Sequence, residues 1–154
     1  MNVSSHLEKA SNYFSRWVDE RLSTFGFLDV SYGRLNTQEQ VWVEIPMNLD
    51  WFCRTFEMDL EKFLVQRTQE GVHHWDKLDS SHQKFMDSIE MDLGYEAKRV
   101  TVATSDESSR EYLTVTYRNS LSLKDYMMLY QILSALSFEA NKLSGQTHLN
   151  LFLN

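Results

Sequence analysis

The stretch SLSLKDYMMLYQILSALSFEANKLSG, Ser120 to Gly145, decides the fold of this chain. Ser122 stands at an N-cap position and Asp125 follows three residues later, the spacing at which two side chains satisfy the first free amides of a helix. Leu129, Ile132, Leu133, Leu136, Ala140 and Leu143 then recur at helical spacing, and Gly145 supplies the stop. A second apolar set, Met127, Met128, Tyr130 and Phe138, falls outside that stripe. A helix that is apolar around most of its circumference is covered on two sides. One cover is expected to be a sheet of the same chain, the other a further helix or a partner.

Upstream of this helix, two runs alternate at period two. Val100 and Val102 alternate with Arg99 and Thr101, and Leu113, Val115 and Tyr117 with Tyr112, Thr114 and Thr116. Further back, strands are expected near Leu28–Arg34 and Glu39–Ile45, the second closed by Pro46, the single proline. An amphipathic helix over residues 3–25 precedes them, with Val3, Leu7, Ala10, Phe14, Trp17, Val18, Leu22 and Phe25 on one face and Gly26 as its stop. The middle of the chain is helical by pattern. Asn48 or Asp50 caps a helix to about Gln69, with Leu49, Phe52, Phe56, Leu60, Phe63 and Leu64 inward. VHHWDKLD reads as a further helical turn, and a short helix carrying Phe85, Met86, Ile89 and Leu93 ends at Gly94. THLNLFLN, with Leu149, Leu151 and Leu153 alternating, reads as a last strand.

These elements predict a single α+β domain over residues 1–154: four to five antiparallel strands with helices packed on one face. The order helix, glycine stop, two strands, capped helix occurs twice, over residues 3–69 and 80–143. A duplicated unit is therefore one reading, although residue identity between the halves is poor.

Composition narrows the function. The net charge of −7 is uneven: −2 over residues 1–46, −6 over 47–97 and +1 over 98–154. An acidic centre opposes direct binding to nucleic acid and suits a basic protein partner. No apolar run reaches the ~20 residues of a membrane span, the N-terminus lacks the layout of a signal peptide, and one cysteine, Cys53, rules out an internal disulfide framework. A cytoplasmic protein of a bacterium or phage is expected.

Catalytic signatures are sparse. The five glycines are isolated, so no phosphate loop exists, and no serine sits in a nucleophile elbow. Glu70, His73, His74, Asp76, Asp79 and His82 form the densest set of ligating side chains. Glu70-x-x-His73, however, straddles Gly71, a poor residue for the helix interior that a metal-binding pair of this spacing needs. Two surfaces suit contact with another protein. If the valine-rich side of the strands faces the helices, then Trp42, Arg99, Tyr112 and Thr114 face outward, and aromatic and arginine residues are common interface anchors. Met127, Met128 and Tyr130 form the second surface.

The expectation is a non-catalytic, cofactor-free protein-binding domain, an inhibitor, immunity protein, adaptor or dedicated chaperone, that forms a homodimer through the long helix or a sheet edge ending at Asn154. In size, charge and its closing strand–capped-helix segment it resembles small bacterial secretion chaperones, although no motif is shared and the helix-rich middle departs from them. The alternatives are a metal-dependent enzyme using Glu70–His82 and a nucleic-acid mimic that blocks a DNA- or RNA-binding protein.

Overall fold

The computed structural model describes residues 5–36, 38, 41–106, 109–144 and 150–152. Its elements run α1 (Ser5–Leu22), β1 (Asp29–Asn36), β2 (Val41–Pro46), α2 (Leu49–Glu57), α3 (Leu64–Arg67), β3 (Gly71–His74), α4 (Ser80–Leu93), β4 (Lys98–Ser105), β5 (Ser109–Tyr117), α5 (Leu123–Ser144) and β6 (Asn150–Phe152). The strands form one antiparallel sheet in the order β3-β4-β5-β1-β2-β6, so the α+β layout is as the patterning implies. Among the described residues, no helix is long and apolar enough to cross a membrane.

Local chemistry sets the boundaries. Ser122 and Asp125 cap α5 reciprocally, each side chain accepting the other's backbone N–H (2.8 and 3.2 Å). Asn48, not Asp50, caps α2 through Trp51 N–H, and Asp79 caps α4 through His82 N–H. Gly26 and Gly94 are left-handed stops. Val3, Gly145, Leu149, Leu153 and Asn154 lie outside the described residues.

The central helix is not continuous. α2 ends at Glu57, Asp59 turns left-handed (φ 57°), and a 3-10 turn (Leu60–Phe63) leads into α3. The inward positions nevertheless hold, with Phe52, Leu60 and Leu64 buried. Residues 71–74 are a strand, where the sequence suggested a helical turn. Val72 pairs with Val102 and His74 with Val100, so hydrogen bonding along the β4 edge overrides local pattern.

Helices cover both faces of the sheet, not one. Val30, Tyr32, Ile45, Val100, Leu113 and Val115 pack against α1 and α5. The opposite side of the strands, which carries Trp42, Leu35, Ala103 and Tyr112, packs under α2 and α3, and a cluster of Trp51, Trp75, Phe85 and Ile89 joins α2 to α4. The strands alternate as expected, but their second side is covered, because α2, α3 and α4 each carry an apolar stripe of their own to bury. The repeated element order is present, yet its matching helices (α1 with α4, α2 with α5) lie on opposite faces.

Met127 is 59% exposed, whereas its neighbour Met128 is partly buried against the α1–α5 core. Met127→Ser should therefore leave the urea midpoint within about 0.5 kcal/mol of the parent, whereas Met128→Ser should lower stability by about 1–2 kcal/mol. Equal effects from the two would contradict this placement.

Candidate functional site

The α2–α4 side of the sheet carries the unusual chemistry. Seven strand positions there, Asp29, Ser31, Glu44, Arg99, Thr101, Thr114 and Thr116, are polar and buried. Arg67, from the end of α3, is buried above them. Buried charges persist only when paired or well hydrogen-bonded, and the partners can be traced.

Arg99 Nη1 donates to Asp29 Oδ2 (2.8 Å) and to Thr116 Oγ1 (2.6 Å), while Asp29 Oδ1 accepts the Asn48 backbone N–H (3.1 Å). One ion pair thus links β4, β1 and β5 to the start of α2. Trp75 is wedged beneath α4. Its Nε1–H donates to Thr101 Oγ1 (2.9 Å), and the guanidinium carbons of Arg99 and Arg67 lie 4.7 and 5.1 Å from its ring centroid. Arg67 Nη1 donates to the Leu60 carbonyl (2.6 Å). Burial lowers its affinity for its proton, while nearby Glu44 works the other way.

Glu44 sits at the β2 side of this cell. It accepts a short hydrogen bond from Tyr112 O–H, which in turn accepts one from Trp42 Nε1–H. Burial raises the Glu44 carboxyl above the usual carboxylate range, against the lowering effects of Tyr112, Arg67 and Arg99. The Tyr112 phenol is pushed far up by burial and then by Glu44. The Tyr112 ring lies across β1 at Gly33, where a Cβ would fall 2.0 Å from its Cζ. With Trp42, Phe52 and Phe56 it fills the β1–β2 side of the compartment. What stays open is a polar cell between Glu44, Arg67, Arg99 and Asp29, with free space of about 10 Å³, room for about one water.

Among the described residues, two buried side-chain nitrogens in this layer meet no acceptor or donor, Arg99 Nε and His82 Nε2. The other ring nitrogen of His82 bonds Asp79 Oδ1 at 2.7 Å, and burial depresses its basicity although Asp79 opposes this. A separate cleft of about 270 Å³ opens on the α1–α5 side, walled by Phe25, Phe27, Tyr117, Leu121 and Met128.

The residues expected to face outward are thereby placed. Trp42, Arg99, Tyr112 and Thr114 are all inside, 5% exposed or less, because α2–α4 cover them. Only Met127 of the second set is exposed; Met128 and Tyr130 pack on the core. Glu70, His73, His74, Asp76, Asp79 and His82 do not converge. His73 Nε2 contacts the Gln69 carbonyl, His74 faces Tyr126, His82 holds Asp79, and no three candidate ligands among the described residues gather to hold an ion. Cys53 is partly buried, and burial raises its thiol pKa, which disfavours the thiolate. Asp29, Glu44 and Arg67 were missed. For Asp29 and Glu44 the signal was a charged residue on the non-valine side of a strand, opposite helices that themselves required cover; Arg67, at the end of α3, carried no such signal.

No family model matches the chain, and no curated protein sequence does. Among solved structures it is similar to the N-acylhomoserine lactone-dependent LuxR-family transcription factor CepR2 of Burkholderia cenocepacia. The TM-score is 0.50 at 13% identity, over 90% of this chain and 93% of that one. The VqsR LBD domain of Pseudomonas aeruginosa aligns at TM-score 0.46 and 9% identity, over 84% and 87%. At 13% identity the first likeness is one of fold.

The packing of Tyr112 over Gly33 is directly testable. Gly33→Ala should destabilise the protein by about 1–3 kcal/mol through overpacking, because the Tyr112 ring is held by Glu44 and Trp42 and has nowhere to move. An unchanged denaturation midpoint would show that the ring does not lie there.

Proposed function

We propose that the chain is a non-catalytic small-molecule-binding domain whose ligand is recognised by the polar groups between the sheet and the α2–α4 layer, which must part beyond the present space for about one water to admit it. The supporting observation is the cell itself. Arg67, Arg99, Asp29 and Glu44 are buried together under a helical layer. Well-packed apolar residues in such places commonly give equal or greater stability, so stability alone is a poor reason for this grouping. Ligand pockets commonly join a few convergent polar groups to aromatic walls, at volumes of about 300–1,000 Å³, far above the present free space of this cell. The name of the similar regulator, N-acylhomoserine lactone-dependent, agrees with a ligand-sensing role for this fold.

The test is extraction and mass spectrometry of protein purified under native conditions, joined to melting curves in a panel of acylhomoserine lactones and small organic acids. A stoichiometric co-purifying compound, or a saturable rise in melting temperature with one class, is expected. Neither result across the panel would overturn the reading.

A second reading, protein binding in the cytoplasm by an adaptor or inhibitor, is favoured by one observation: Leu123 and Met127 on α5 are 78% and 59% exposed. A second copy or a basic partner seated there should dissociate when Leu123 and Met127 are both changed to Ser, with the fold intact. Sedimentation showing a monomer at high micromolar concentration, and no partner in pull-down, would exclude it.

A further inference from the structure

We infer that the cleft on the α1–α5 side binds a zwitterionic small molecule with a flat apolar body, of the class of a free aromatic amino acid. This site is separate from the polar cell and does not depend on it. The cleft holds about 270 Å³ as it stands. An apolar cavity of about 150 Å³ takes a benzene ring, so a ring and a short polar head both fit.

Charge decides the polar end. Arg118, just after β5, and Asp125, in the first turn of α5, both line the cleft. Among the described residues neither forms an ion pair, with the other or with any third group. The guanidinium carbon of Arg118 lies 3.9 Å from the centroid of the Tyr95 ring. That contact braces one face of the group and leaves its N–H edge to donate. Asp125 accepts the Ser122 backbone N–H through Oδ2, and this bond holds its carboxyl below the usual carboxylate range. The cleft therefore presents one cation and one anion, each without a counterion. A ligand with only a negative group meets Asp125, and one with only a positive group meets Arg118. A neutral apolar body takes both charges out of water and pairs neither, which is costly. A carboxylate and an ammonium carried a few bonds apart satisfy both at once.

The aromatic wall decides the rest of the molecule. Phe25 and Phe27, on either side of the Gly26 turn, are stacked with centroids 5.7 Å apart and planes 14° apart. Phe25 is still 36% exposed. A further flat ring can extend that stack over Tyr117 and Met128, which also line the cleft.

The probe is L-phenylalanine. Phenylacetate and phenethylamine each lack one of its charges, and L-alanine lacks its ring. Isothermal titration of the intact chain should show saturable binding of L-phenylalanine, with each analogue weaker by about tenfold or more, the loss of one charged or stacked contact. Arg118 is exposed, so Arg118→Gln should keep the fold and weaken L-phenylalanine by about tenfold. Asp125→Asn retains an acceptor for the Ser122 N–H, and should weaken L-phenylalanine until phenylacetate binds at least as well. A merely structural role for Asp125 would not exchange that preference. On the parent chain, the backbone amide resonances of residues 25–27 and 117–121 should shift on titration, while those of residues 64–68, over the polar cell, stay fixed. Absence of L-phenylalanine binding at millimolar concentration, equal binding of the single-charge analogues, or shifts confined to residues 64–68 would overturn the inference.

Discussion

The structure depends on keeping a charged pair out of water in the middle of a sheet. Arg99 and Asp29 face each other across three strands, with Thr116 accepting a second bond from Arg99 and the Asn48 amide donating to Asp29. Removing one member of such a pair costs about 3–5 kcal/mol, because the survivor is left charged and alone. The pair therefore constrains everything above it. β1, β4 and β5 must hold register, α2 must begin where Asn48 reaches Asp29, and the helices must seal the face.

That seal is built from aromatic residues that also serve as polar partners. Trp75 donates to Thr101, and both arginines lie by its ring. Trp51 and Arg54 both contact the Asp92 carboxylate, and Arg54 also reaches Ser88, which stitches α2 to α4. Arg110 of β5 reaches the Val65 carbonyl of α3 and fixes the short helix to the sheet. Every element of the second layer is thus joined to the sheet or to its neighbour by at least one directed bond. The apolar α1–α5 side has a simpler composition, mainly valine, leucine and isoleucine against two long helices. The two faces differ in kind: one supplies most of the apolar burial, and the other holds the buried polar groups.

Much of this was legible in the residues. The alternation of Val100, Val102, Leu113 and Val115 with Arg99, Thr101, Tyr112 and Thr114 separates the two sides of the strands correctly. The cap at Ser122 and the stops at Gly26 and Gly94 fall where the chain places them. Local rules work at these points because a cap or a pleat involves only near neighbours. They failed at residues 71–74, where pairing with β4 makes a strand of a segment without clear periodicity, and at Asp59, where the chain leaves the helix despite a continuous apolar stripe.

By itself, the sequence determined the α+β class, the antiparallel strands, the long capped helix and which strand residues share a side, since each follows from spacing and from bonds within a few residues. Only the tertiary structure decided that α2–α4 fold over the polar side, so that Trp42, Tyr112, Arg99 and Thr114 are interior, and that Asp29, Glu44 and Arg67 meet there. Those residues lie far apart along the chain. Their meeting depends on strand order and on the apolar area of separate helices, quantities that no local window contains.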